Sequence, residues 1–100
     1  MIKLTVLYGH PTDPVAFESY YANKHHPLVS KVKGIVKAEL TKFMSAADGG
    51  KPAYYRMAEL YFPGMEELQK TVESPEGKTL SADLANFATG GATIIIGIVD

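Results

Sequence analysis

The chain has no cysteine and no tryptophan. Without cysteine there are no disulfides, no thiolate nucleophiles and no soft metal sites, which fits a reducing cytoplasm. No run of like charge exceeds two residues, and ten basic residues against eleven acidic ones leave a net charge of −1. The basic stripe that neutralises phosphates is therefore missing, and so is a ribonucleoprotein motif, which argues against nucleic acid as a partner. No apolar run approaches membrane-spanning length; Ile94-Ile95-Ile96 is far too short. The first residues read as a strand rather than as the charged-then-apolar layout of a signal peptide, so the expectation is a soluble cytoplasmic protein. The glycine pairs Gly49-Gly50 and Gly90-Gly91 lack the Lys and Ser or Thr of a phosphate loop. There is no dinucleotide fingerprint and no nucleophile elbow.

What remains is a chain of 100 residues, 46% hydrophobic. That is the size of one domain, residues 1–100, with enough apolar content to build a core. Ile2 to Tyr8 alternates as a strand, with Ile2, Leu4, Val6 and Tyr8 on the greasier face. Asp13-Pro14 has the form of an N-cap followed by proline at the first helical position. The helix it opens is expected to end near Lys24, because Pro27 biases His26 away from helical angles. A short further turn over Leu28 to Lys33 would stop at Gly34.

Ile35 to Phe43 and Tyr54 to Phe62 alternate again, on either side of a small, glycine-rich loop at Ser45 to Pro52. Pro63-Gly64 opens a second helix with Met65, Leu68 and Val72 on one face. Ser74-Pro75 restarts it, with a stripe at Leu80, Leu84 and Phe87. After Gly90-Gly91, Ala92 to Val99 is the last strand. The order β-α-β-β-α-β, with the second helix in two pieces, predicts an α+β, ferredoxin-like split βαβ fold: a four-stranded antiparallel sheet with helices on one face. The last strand is apolar on both sides, as for a strand buried on both faces. The sheet face away from the helices, with Leu7, Tyr55, Met57 and Tyr61, would be a large exposed patch in a monomer. A sheet-to-sheet homodimer would cover it.

The chemistry concentrates at the end of the first helix. Phe17, Tyr21 and His25 stack at four-residue spacing on one face, placing an imidazole, the side chain suited to moving protons near neutral pH, beside aromatic rings. It can act as general acid or base, or it can be a helix-terminal residue that satisfies nearby carbonyls. His26 points about 100° away if the helix persists, so a surface or interface position is expected for it. Adjacent histidines diverge and His10 lies on another element, which disfavours zinc; nothing beyond His25 speaks for haem. Glu39 and Glu59 share a face, where pairing with Lys3, Lys37 or Arg56 is more expected than acid-base work. Six tyrosines offer aromatic walls with hydroxyl handles for a small apolar ligand. Tyr55 and Tyr61 read better as core and interface packing.

The run Ile2 to Tyr8, then Phe17, Tyr20-Tyr21 and His25 followed by Pro27-Leu28-Val29, resembles the EthD family, as does Ala58-Glu59-Leu60-Tyr61-Phe62. The resemblance covers almost the whole chain. Its most specific part is the aromatic-aromatic-x-x-x-His-x-Pro-Leu signature, in which His26 stands where an apolar residue is more usual. It implies a homodimeric α+β barrel with a pocket in each protomer between sheet and helices. Similar barrels include cofactor-free monooxygenases, lactone isomerases and polyketide cyclases, along with haem-using enzymes, so the resemblance defines the fold better than the reaction.

The expectation is cofactor-free proton-transfer chemistry on a small hydrophobic organic molecule, monooxygenase- or isomerase-like, in the catabolism of organic compounds. His25 would be the catalytic residue, with Tyr8, Phe17, Tyr20, Tyr21 and Phe62 contacting the ligand and no metal. The rival reading is a non-catalytic ligand-binding or accessory module for a neighbouring oxygenase.

Overall fold

The computed structural model describes residues 1–100. Strand β1 (Ile2–Tyr8) is followed by α1 (Pro14–Tyr20), a π-helical turn (Tyr21–His25) and α2 (His26–Lys31). Strands β2 (Lys37–Lys42) and β3 (Arg56–Phe62) come next, then α3 (Met65–Glu73), α4 (Pro75–Asp83), a 3₁₀ turn (Leu84–Asn86) and β4 (Ala92–Ile98). The four strands form one antiparallel sheet in the order β2-β3-β1-β4. This is the ferredoxin-like α+β arrangement that the element order predicts.

The capping signals work as their chemistry dictates. The Asp13 carboxylate accepts from the Ala16 amide, and Ser74 does the same for Gly77. Gly34 has φ +94°, a left-handed conformation that favours glycine, just after α2 and its Val32 cap. Gly77 lets α4 approach α3 closely, since a Cβ there would meet the Thr71 carbonyl.

The first helix departs from expectation. It does not end at Lys24 but continues through His26, whose φ and ψ are −56° and −41°, and through Pro27 to Lys31. Proline inside an α-helix removes one hydrogen bond and crowds the carbonyl four residues back. Here the preceding turn widens, and the His26 amide bonds the Tyr21 carbonyl five residues earlier. A π-turn of this kind absorbs the misfit without ending the helix.

In the pleat, Leu4 pairs with Leu60 and Val6 with Ala58 on the helix-covered face. Val6, Tyr8, Phe17, Tyr21, Ala58 and Phe87 form the main core, while Leu60, Phe62 and Leu68 form a second cluster. Edge-to-face and tilted aromatic pairs dominate the main core, with Tyr8 to Phe17 at 5.5 Å and Phe17 to Phe87 at 5.2 Å. β4 does not follow the prediction. It is an edge strand, and every residue from Ala92 to Ile98 is exposed in the protomer. On the uncovered face, Lys3 pairs with Glu59 at 2.8 Å and the Tyr61 hydroxyl donates to Glu39 at 2.8 Å.

Arg56 pairs with neither of those glutamates. It reaches Glu18 on α1 in a two-pronged ion pair, at 2.9 Å through Nε and 2.6 Å through Nη2, with its guanidinium 5.0 Å from the Tyr21 ring centre. The Arg56 hydrogen bonds hold the Glu18 carboxyl at about 2, against an ordinary 4.5. A depressed folded-state value means that this stability is fully present above about 4.5 and is lost as pH falls towards about 2. Because the pair is partly exposed, Glu18→Gln is expected to destabilise by only about 1 kcal/mol at neutral pH. Urea denaturation of wild type and variant should show that gap closing as the pH is taken down through that window.

Candidate functional site

Between the sheet and the helices lies a cavity of about 550 Å³ whose lining is mostly apolar. All four strands contribute to it, from Leu40 on β2 through Leu60 and Val6 to Ile94 and Ile96 on β4. His25, Tyr8, Tyr21 and Phe62 line it and are buried. Phe17 and Tyr20 are not lining residues. Phe17 is buried in the aromatic core behind Tyr8 and Tyr21, and Tyr20 turns its hydroxyl to Asp83 at 2.6 Å.

His25 is 5% exposed. Its Nδ1 lies 2.8 Å from Asp83 Oδ2, while Tyr20 Oη and Asn86 Nδ2 donate to Asp83 Oδ1 at 2.6 and 3.0 Å. Burial pushes the Asp83 carboxyl up, but the hydrogen bonds from Tyr20, His25 and Asn86 outweigh it and hold the group below its ordinary 3.8. Asp83 is therefore an ionised acceptor at neutral pH, and Nδ1 must carry the hydrogen. That leaves Nε2 as the free nitrogen of the ring. It has no hydrogen-bond partner in the protein, yet it is not among the polar atoms sealed from solvent. The ring is held between Tyr21, stacked at 5.7 Å, and Phe87 at 4.6 Å.

His26 is half-buried rather than fully on the surface. Tyr21 and His26 are five residues apart, and the wider π-turn brings His26 edge-on to the Tyr21 ring at 4.3 Å while His25 stacks on the same ring. Its Nε2 is buried without a partner, and burial, the largest cause, pulls its pKa below the ordinary value, with the Arg56 charge acting in the same direction. The Tyr21 hydroxyl is also buried and unpartnered. Burial raises the pKa of Tyr8 and Tyr21, so both phenols stay protonated and can donate hydrogen bonds but not take up protons. His10 is elsewhere, with Nε2 at 2.7 Å from the Pro52 carbonyl. No group of three or more His, Asp or Glu side chains converges to hold a metal ion.

Asp83 and Asn86 are absent from the residues picked out by sequence, although a signal exists. Leu80, Asp83, Leu84 and Phe87 follow the i, i+3, i+4, i+7 pattern of an inward helix face. An acidic residue in an inward position needs a buried partner. His25 is that partner.

Fold and cavity together define a small α+β protein with a partly open apolar pocket and one histidine–aspartate pair. The EthD domain model matches residues 9–91, and the chain belongs to the EthD family. It is 40% identical over 95 residues to an uncharacterized 11.0 kDa protein from the thcB-thcC intergenic region of Rhodococcus erythropolis, covering 95% of this chain and 91% of that one. An EthD family crystal structure from Bacillus halodurans superposes with a TM-score of 0.94 at 34% identity, over 100% of this chain and 99% of the other. A dimeric ferredoxin-like protein from Thermobifida fusca shares the fold at 11% identity, with a TM-score of 0.73 over 98% and 90% of the two chains.

Proposed function

We propose that the protein is a homodimer that binds a small hydrophobic organic molecule in this cavity and transfers a proton to or from it through His25, without metal or nucleotide. The observation that carries the reading is the orientation of the imidazole. Asp83 occupies Nδ1, so the lone pair of Nε2 is the basic site available to a ligand. A C–H or O–H next to a carbonyl gives its proton to Nε2, and the Asp83 carboxylate stabilises the imidazolium that forms. Return of that proton to a different atom of the ligand completes an isomerisation. The resulting anion can instead react with dioxygen as in cofactor-free oxygenation. Tyr8 would donate to the oxygen on which negative charge develops, Phe62 would supply apolar wall, and Tyr21, its hydroxyl sealed, would hold the imidazole by stacking. Phe17 and Tyr20 act from behind, one packing Tyr21 and the other holding Asp83.

The homodimer is supported by the uncovered sheet face and the exposed β4, and by the dimeric state of the Thermobifida fusca protein with the same fold.

Glutamine at position 25 keeps a donor for Asp83 but cannot take up a proton. Turnover of lactones or enolisable aromatics, screened by solvent deuterium uptake and dioxygen consumption, is expected to fall by about 10²- to 10⁴-fold in His25→Gln. Ligand affinity should change far less. Equal turnover in the two proteins would remove His25 as the catalytic residue and leave a binding module.

A further inference from the structure

The cavity has a direction, shown by which of its walls are open. Tyr8, Tyr21, His25 and Phe62 are buried, whereas Lys78, Ser81 and Ala82 on α4, Ile94 and Ile96 on β4, Leu40 on β2 and Val72 on α3 are exposed yet line the same space. The first group marks the floor and the second the open rim, on which Lys78 and Ser81 are the polar side chains and so define its polar mouth. Lys78, Ser81 and Ala82 stand at i, i+3 and i+4, one stripe along α4. No carboxylate lines the cavity, and Lys78 is its one lining lysine or arginine. The Lys78 ammonium is paired with no carboxylate of the chain, and Ser81 stands one turn along with its hydroxyl on the same stripe. An apolar slot whose rim carries one unpaired cation and one neighbouring hydroxyl complements a ligand with a single negative charge at its outer end.

The slot also has a length. Its walls run across all four strands, three inter-strand steps of about 4.8 Å or roughly 14 Å. A compact ring would fill only part of it.

We infer that the ligand is an elongated apolar molecule with one terminal carboxylate, held at the mouth by Lys78 and Ser81 while its apolar body extends inward towards His25. This rests on the cavity being the binding site, as proposed above, and adds the chemical class of what enters it. Carboxylate recognition at the rim sets orientation: it decides which end of the molecule reaches Nε2.

The test uses the whole protein with the uncharged fluorophore N-phenyl-1-naphthylamine as probe, displaced by decanoate or by 1-decanol. In Lys78→Met the apparent Kd of decanoate is expected to rise about fivefold, the upper end for a partly exposed ion pair, with 1-decanol unchanged. The decanoate advantage should fade in ~1 M salt. Lys78→Glu should weaken decanoate further and favour decylamine, while Ser81→Ala weakens decanoate alone. Lys78 is exposed, so none of these changes touches the core. Decanoate and decanol weakened alike in Lys78→Met, or decanoate unaffected, would overturn the carboxylate assignment and leave the cavity standing. Failure of both the probe and decanol to bind wild type would overturn the cavity reading itself, and this inference with it.

Discussion

Alanine in place of Asp83 is expected to cost the fold about 3–5 kcal/mol, the range for removing one partner of a buried charged pair. Domain stabilities are typically about 5–15 kcal/mol, so this one change consumes a large part of the whole. The carboxylate is 7% exposed and accepts from three donors, Tyr20, His25 and Asn86. Without it, those donors face one another with no acceptor and little water. Asparagine separates structure from chemistry. It fills the same space and still offers an oxygen to Tyr20 and Asn86, so the stability loss should be nearer 1–3 kcal/mol. Its amide, however, presents N–H to His25, and the imidazole must then accept at Nδ1 and carry its hydrogen on Nε2. The nitrogen that Asp83 leaves free, Nε2, changes from base to donor. Imidazole ¹⁵N shifts report that tautomer directly and need no substrate, while urea denaturation gives the stability of both variants. An unchanged tautomer in Asp83→Asn would mean that Asp83 does not position His25. The pH dependence has a definite sign. The folded Asp83 carboxyl lies below its ordinary 3.8, so its contribution is complete above that value and is lost as pH falls below it. Both variants should lack this part of the acid limb.

The elements that sequence alone located are those whose signal is local. β1 runs over Ile2–Tyr8 as its alternation indicates, Asp13 and Ser74 cap as their side chains dictate, and α3 and α4 divide at Ser74-Pro75. The spacing of Phe17, Tyr21 and His25 also survives, and it leads to the cavity floor. What was not legible depends on non-local terms. The penalty that Pro27 imposes on a helix is real, but the packing of Tyr21, His25 and Val29 against the sheet side keeps the chain helical, and the misfit is taken up in a π-turn. That turn in turn brings His26 onto the Tyr21 ring, which a rotation of 100° per residue does not foresee. The Asp83 partnership spans 58 residues, so no window along the chain contains both groups. β4 illustrates a different limit. A strand apolar on both faces fits a sheet interior and equally an edge that another chain covers, and nothing in its own residues separates the two.

A charge on the β4 side of that uncovered face should dissociate the proposed homodimer. Ile95 pairs with Thr5 of β1 and shares its face with Leu7, Met57 and Tyr61, away from the helices. It is 51% exposed in the protomer, and Ile94, Ile96 and Ile98 on the other side of β4 are 48%, 47% and 79% exposed. Soluble monomers rarely leave an edge strand that is apolar on both faces this open. In a two-fold interface each residue occurs twice. Ile95→Asp therefore buries two unpaired carboxylates, and at about 2 kcal/mol or more each the dissociation constant should rise by at least about a thousandfold. The protomer should remain folded, because the side chain already faces solvent when the chain is alone; circular dichroism separates dissociation from unfolding. Val15→Asp is the matched control, since Val15 is 80% exposed on α1, on the far side of the helix layer from this sheet face, and the same charge there should leave the mass unchanged. Sedimentation analysis of the three proteins over a concentration series decides the matter. A wild type that sediments as a monomer, or an Ile95→Asp variant that keeps the wild-type mass, would move the interface off this face.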